Sequence, residues 1–323
     1  MVKAIRVHET GGPEVLLYEE IDLPAPGPGE VQIRQHAIGV NFIDVYFRTG
    51  LYPSARPFVP GQEGAGEVIA VGPQVSGFTP GDRVAYCGAN GAYAQARNVA
   101  ASLLVQIPAS ISYETAAAMM LKGLTAEYLL FRTYPVKKGD VILVHAAAGG
   151  VGLLLCQWAK HLGATVIGTV GSEAKAELAK KAGADEVILY RQQDFVAEVR
   201  RFTKGAMCNV VYDGVGKDTF PASLDCLRTF GTFVSFGAAS GPIEAFNIGI
   251  LAPKGSLYVT RPTLGSYVTN PPLLREMAAR LTEAVGSGVL DIAIHSRVPL
   301  AQAADAHRAL EGRATTGATI LLP

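Results

Sequence analysis

The spacing Ala147-x-Gly149-x-x-Gly152 sets small residues between an apolar run at 141–145 and a second at 151–162. The first run predicts a buried strand and the second a helix. In that setting a glycine-rich turn lets the backbone approach a pyrophosphate closely. The start of the helix adds unpaired N–H groups and the positive end of its dipole. Alanine stands where such a fingerprint has its first glycine. An ordinary strand-to-helix turn uses the same residue types, so the surrounding chain decides between the readings. A membrane span is excluded for this stretch, because turn glycines interrupt it and further strand and helix patterns follow at once.

A dinucleotide site also needs a second strand to carry the adenosine ribose. Residues 165–170 predict it, closed by Gly171 and Ser172. NAD sites place Asp or Glu at that tip, about 20 residues past the glycines, to hold the ribose 2′-hydroxyl. Here Glu173 follows but reads as the first residue of the next helix, and Lys175 lies two residues further on. Ser172 and Lys175 suit a 2′-phosphate, which a carboxylate would repel, so the pattern favours NADPH over NADH. The alternative for Lys175 is a solvated helix residue. Tyr190, ending the third strand, reads either as a partner of the adenosine end or as a strand-end tyrosine with its hydroxyl in water.

These residues require a scaffold. Residues 173–182 predict a helix with Ser172 as N-cap and Gly183 as stop. Strands are expected at 186–190, 209–212, 232–236 and 257–260, with an amphipathic helix at 194–203. Strands alternating with helices imply an α/β fold with a doubly wound parallel sheet. His145, on the strand before the glycine turn, reads as a core histidine. Residues 1–120 differ. Strand-like runs at 2–7, 31–37 and 68–71 are separated by Pro/Gly clusters such as Pro24-Ala-Pro-Gly-Pro-Gly29, which argues for a β-rich unit. An apolar helix at 113–131 leads into the nucleotide domain. An amphipathic helix is expected at 273–285, and a last strand at 319–322 returns to the first unit.

The chain has 323 residues, and Lys+Arg and Asp+Glu both number 28. The length suggests two domains. The charge balance argues against bulk attraction to nucleic acid or anionic membrane. Four scattered cysteines, Cys87, Cys156, Cys208 and Cys226, show no metal-type spacing and fit a reducing, cytoplasmic setting. The opening residues form a strand-like pattern rather than a targeting segment.

Gly11-Gly-Pro-Glu-Val15, Gly39-Val-Asn-Phe-Ile-Asp44, Pro60-Gly-Gln-Glu-Gly-Ala-Gly66, Gly81-Asp-Arg-Val84, Lys122-Gly-Leu-Thr125 and the glycine turn occur in one order along the chain. Together with Tyr258-Val-Thr-Arg-Pro262 and Arg313-Ala-Thr-Thr-Gly317, they resemble the medium-chain dehydrogenase/reductase superfamily. Within it the chain looks like the zinc-independent quinone oxidoreductases, in particular the bacterial NADPH:quinone reductases. The resemblance implies a GroES-like catalytic domain (1–122 and 263–323) split around a Rossmann NADPH-binding domain (123–262), a cleft active site, and a homodimer joined through the edges of its Rossmann sheets.

Alcohol dehydrogenase relatives carry Gly-His-Glu where this chain has Gly61-Gln62-Glu63, and a cysteine near Asn41–Asp44 where it has none. Their four-cysteine lobe is absent, since residues 86–110 hold only Cys87. Zinc needs three or four N, S or O ligands, so the expectation is hydride transfer without a metal to an acceptor that is already electrophilic.

The resemblance places Asn41, Tyr46 and Tyr52 around the acceptor and nicotinamide. The alternative for each tyrosine is packing or a structural hydrogen bond. It places Thr125, Tyr128, Gly149, Gly150, Val151 and Gly152 at the pyrophosphate and nicotinamide, and Gly171, Ser172, Lys175 and Tyr190 at the 2′-phosphate end. Val215, Phe236, Gly237 and Ala238 flank the cofactor. Arg313 is either a late contact to it or a surface ion pair. Quinones are the expected acceptors. Reduction of activated C=C bonds in 2-alkenals or enones is the neighbouring reading, and a non-enzymatic NADPH-binding protein the third. One- and two-electron transfer stay open.

Overall fold

Pro and Gly cut the first hundred residues into short strands: β1 (Val2–Arg6), β2 (Leu17–Ile21), β3 (Glu30–Val40), β4 (Glu63–Val71), β5 (Arg83–Cys87), β6 (Ala96–Ala100) and β7 (Leu104–Gln106), with α1 (Phe42–Thr49) after β3. The computed structural model describes residues 1–323. They form two units: Met1–Leu124 with Leu264–Ser287 and Ile292–Pro323, and Thr125–Thr263 with Gly288–Asp291. The boundary falls inside α2 (Tyr113–Tyr128), whose apolar pattern continues as a π-turn over Leu129–Thr133 instead of as regular helix to 131.

In the second unit β8 (Val141–Val144), α3 (Gly150–His161), β9 (Thr165–Val170), α4 (Glu173–Lys181), β10 (Glu186–Leu189), α5 (Phe195–Phe202), β11 (Cys208–Asp213), β12 (Leu227–Ser235) and β13 (Tyr258–Thr260) follow in turn. All pairings in its sheet are parallel, in the order β10-β9-β8-β11-β12-β13. Such strands are covered on both faces, which explains their richness in Val, Ile and Leu. Leu143, Ile167, Ile188, Val211 and Phe233 pack in this core. Asp194 caps α5, accepting from the N–H groups of Val196 and Ala197. β12 begins at Leu227, five residues before the expected start. The left-handed Phe230 (φ 60°) and Gly231 hide the strand in the sequence, and the register shifts there.

The chain then adds α6 (Gly265–Val268), α7 (Pro271–Gly286), β14 (Ile294–Pro299), α8 (Ala303–Glu311) and β15 (Ala318–Leu322). β15 pairs antiparallel with β3, in the order β14-β15-β3-β4-β5-β7 with β6 also on β3. Inward residues of these strands, among them Ile33, Ile38, Val68, Val84 and Leu321, form the core of that unit. No helix is long and apolar enough to cross a membrane.

Candidate functional site

The strand order of the parallel sheet reverses between β8 and β11, the point where ligands sit in doubly wound sheets, outside the carboxyl ends of the strands. The glycine turn lies there. Gly149 is the extended N-cap of α3 (φ −78°, ψ 170°), no side chain caps the helix, and no acid lies in its first turn. Gly150, Val151 and Gly152 therefore open the helix at an uncapped, electropositive end. A Cβ on Gly152 would come within 2.3 Å of the Ala146 carbonyl oxygen, so this glycine is required for close helix–strand packing. Alanine at 147 is accommodated from β9. A Cβ on Gly168 would lie 2.7 Å from the Ala147 methyl, and the Ala147 N–H donates to Thr169 O at 3.0 Å.

The tip of β9 carries no carboxylate. Glu173 opens α4, and Ser172 occupies its N-cap position without using its hydroxyl as a cap. Lys175 follows in the first turn. Gly171 leaves room for two neighbours: a Cβ there would stand 3.0 Å from the Tyr190 hydroxyl and 3.4 Å from Arg191 Nε. Tyr190 and the half-exposed end of β10 thus fold back beside Gly171 and Ser172. Arg191, beyond the expected set, adds a guanidinium at this tip; its only signal in the sequence is its place next to Tyr190.

At the end of β11, Asp213 Oδ1 accepts the N–H groups of Val215 (2.7 Å) and Gly216 (3.0 Å), and Oδ2 accepts the Thr219 hydroxyl at 2.6 Å. This buried carboxylate sets the conformation of the loop bearing Val215. Phe236, Gly237 and Ala238 run beside it after β12; a Cβ on Gly237 would be 2.5 Å from Gly214 O. His145 is a core residue, with Nδ1 2.9 Å from Thr169 Oγ1 and Nε2 3.0 Å from Ser223 Oγ. Burial lowers its pKa, so it is neutral. Thr125 and Tyr128, on the last turn of α2, are both buried.

In the first unit, α1 starts at Asn41, whose N–H donates to Asp44 Oδ2 at 2.9 Å. Gly50 ends the helix in the left-handed region (φ 84°) and turns the chain back. Tyr52 N–H then reaches Tyr46 O at 3.0 Å, and the two rings meet edge to face with centroids 5.3 Å apart. The Asn41 side chain is held by two charges absent from the expected set. Its Nδ2 donates to Glu63 Oε1 at 2.8 Å, and Lys122 Nζ donates to its Oδ1 at 2.8 Å. A lysine inside the apolar stretch of α2 was the available signal, since such a residue is buried only when paired. Arg313 follows α8 in a left-handed conformation (φ 57°) and is exposed.

Behind α1 runs a second buried polar chain. Arg48 makes a bidentate pair with Glu311 (2.7 and 2.9 Å) and points Nη1 at His307 Nδ1 at 3.4 Å. His307 Nε2 lies 3.0 Å from the Tyr93 hydroxyl, which is 2.9 Å from Asp44 Oδ2. Arginine only donates, which makes Nδ1 the acceptor and puts the His307 proton on Nε2. That proton goes to Tyr93, and Tyr93 donates to Asp44. Burial, followed by the Arg48 charge, lowers the His307 pKa to about 3. Burial raises Asp44 to about 7 against the pull of the Asn41 N–H and the Tyr93 hydroxyl. Protonated Asp44 carries its proton on Oδ1, the oxygen without a partner.

A zinc ion does not fit these donors. Gln62 offers a neutral amide, with its Nε2 donating to Asn90 Oδ1 at 2.6 Å, in place of a zinc-binding imidazole, and Cys87 is a buried thiol whose pKa burial pushes well up. No group of three or more His, Cys, Asp or Glu side chains is arranged to hold a metal.

Residues 150–283 match the zinc-binding dehydrogenase family, and residues 27–138 the alcohol dehydrogenase GroES-like domain. The chain is 53% identical to a quinone oxidoreductase of Pseudomonas aeruginosa, over 100% of both. It is 45% identical to a 2-haloacrylate reductase of a Burkholderia species, over 100% of this chain and 99% of that one. The crystal structure of Escherichia coli quinone oxidoreductase complexed with NADPH superposes with a TM-score of 0.98 at 48% identity, covering 99% of this chain and 100% of that one.

Proposed function

Because the chain belongs to the quinone oxidoreductase family of the medium-chain dehydrogenase/reductase superfamily, we propose that it is an enzyme that reduces quinones with NADPH and without a metal. The observation that carries the reading is the uncapped glycine turn at the reversal point of the sheet, combined with a β9 tip that bears Ser172 and Lys175 in place of a carboxylate. NADPH, when bound, supplies the hydride.

Gly149, Gly150, Val151 and Gly152 receive the pyrophosphate on backbone N–H groups. Thr125 and Tyr128 take positions beside the pyrophosphate and nicotinamide. Gly171, Ser172, Lys175 and Tyr190 take the adenosine 2′-phosphate. Val215, Phe236, Gly237 and Ala238 flank the cofactor along the ends of β11 and β12, and Arg313 makes a late contact. Tyr46 and Tyr52 offer flat faces to an aromatic acceptor and hydroxyls to its oxygens. Asn41 adds an amide. A quinone that gains a hydride becomes a hydroquinone anion, which takes its proton from water or a nearby hydroxyl. The site therefore needs no strong general acid or base, and its residues align the acceptor and keep it dry.

A second reading, reduction of an activated C=C bond, is favoured by the 2-haloacrylate reductase relative. Steady-state rates with matched quinones and enones, each with NADPH and NADH, test both. Quinone rates above enone rates with NADPH support the first. Enone rates far above quinone rates transfer the proposal to the second, and tight NADPH binding without turnover of any acceptor refutes an enzymatic role.

The proposal extends to assembly and location. β13 ends the parallel sheet as an open edge, with Tyr258 62% exposed and Phe230 62% exposed nearby on β12. An apolar edge of this kind is a template for pairing with a second copy, and sedimentation analysis should give a homodimer. All four cysteines are buried and unpaired, which suits a reducing cytoplasm.

A further inference from the structure

An ion pair removed from water is held only when geometry offsets its desolvation. Glu63 on β4 is fully buried and Lys122 on α2 nearly so, with Nζ and Oε1 2.8 Å apart. Each ammonium proton has an acceptor: Glu63 Oε1, Asn41 Oδ1 at 2.8 Å, and Val40 O at 3.2 Å. Glu63 Oε1 also accepts from Asn41 Nδ2, and Oε2 accepts the Leu121 N–H at 2.6 Å. The backbone makes room for this carboxylate. A Cβ on Gly39, paired opposite Glu63, would fall 2.1 Å from Oε1.

An ammonium can only donate and a carboxylate can only accept. Between them, only one orientation of the Asn41 carboxamide satisfies both, with its oxygen on Lys122 and its nitrogen on Glu63. One N–H of Asn41 is left over. The geometry points to Lys122 and Glu63 as positioning residues that lock Asn41 so that this N–H meets the acceptor oxygen that gains charge when hydride arrives. This rests on the proposed acceptor reduction. The pair carries no net charge, so it orients the amide and does not itself attract an anion. A donor fixed before the reaction needs no reorganisation during it.

The Glu63→Gln/Lys122→Met double variant tests this, because it removes both charges together and strands neither in the interior. With 1,4-benzoquinone as probe, kcat should fall by about tenfold to a hundredfold, with KM and the Kd of NADPH little changed. In 15N-labelled protein the Asn41 side-chain amide, assigned by its loss in Asn41→Ser, should be protected from exchange in the wild type and unprotected in the variant. A kcat within about twofold of wild type, an effect carried wholly by NADPH affinity, or an amide equally protected in both proteins overturns the inference. Should the double variant not fold, Glu63→Gln is read the same way, since its amide can donate as well as accept and releases Asn41 to either orientation. A wild type that reduces no quinone refutes the proposed reaction instead, and the amide protection alone then decides the role of the pair.

Discussion

Removing either end of the Asp44–Tyr93–His307 chain should tilt the pH dependence of stability, in opposite directions. Asp44 is raised from 3.8 to about 7, so its contribution is full below pH 3.8 and is lost as pH rises through about 7. His307 is lowered from 6.5 to about 3, so its contribution is present above pH 6.5 and is lost as pH falls through about 3. At about 1.4 kcal/mol per pKa unit, the two correspond to about 4 and about 5 kcal/mol. Between pH 4 and 6.5 the slopes oppose and nearly cancel in the wild type.

Asp44→Asn leaves His307 alone, and stability relative to wild type should rise with pH by about 1.4 kcal/mol per unit across that window. His307→Gln removes the His307 contribution, and relative stability should fall with pH by a similar slope up to about pH 6.5. Each substitution also carries a pH-independent offset, for instance the unpaired amide N–H groups that Asn places at the Oδ1 position of residue 44. The slope is therefore the readout. Urea unfolding read by pulsed hydrogen exchange of peptides from β3 and β4 isolates the first unit. Differences from wild type cancel the groups common to all three proteins. Slopes of the same sign in the two variants, or both profiles parallel to wild type, would refute the reasoning.

Three further outcomes are expected. Gly168→Ala should lose about 1–3 kcal/mol through the contact with the Ala147 methyl, and Ala147→Gly should recover most of it in the double variant; additive losses in urea melts would contradict the compensation. Lys175→Ala should raise the Kd of NADPH by about tenfold and leave NADH nearly unchanged, and equal losses for both cofactors would remove Lys175 from the 2′-phosphate. Elemental analysis of purified protein should find no stoichiometric zinc, and one ion per chain would overturn the donor-set argument.

The parallel sheet is legible in the sequence because its strands are short runs rich in Val, Ile and Leu, and positive-φ glycines such as Gly163, Gly183 and Gly205 mark the ends of the helices between them. Only the first part of β12, Leu227–Gly231, escapes, because Phe230 and Gly231 interrupt the strand from within. In the site, the glycine turn and the bare β9 tip are local patterns, readable within some 30 residues. The Lys122–Glu63 contact spans 59 residues and the Tyr93–His307 contact 214. Local spacing encodes neither, and only a signal such as a lysine in an apolar helix could direct attention to them. Gly168 shows the same limit: Ala147 looks like a flaw in the fingerprint until its neighbour on β9 is known.

The placement of β15 next to β3 has a consequence for the order of folding. β3 ends at Val40, and its partner begins at Ala318, after the main segment of the second unit, Thr125–Thr263. As the chain is synthesised, the second unit is complete while the first still lacks β14 and β15, so the end of β3 at Ile38–Val40, beyond its pairing with β6, waits with one flank unpaired. The parallel sheet is thus expected to form early and the antiparallel one to close last, over a contact of very long sequence separation. Until then the nascent protein presents a short open edge at the end of β3, able to pair with another chain.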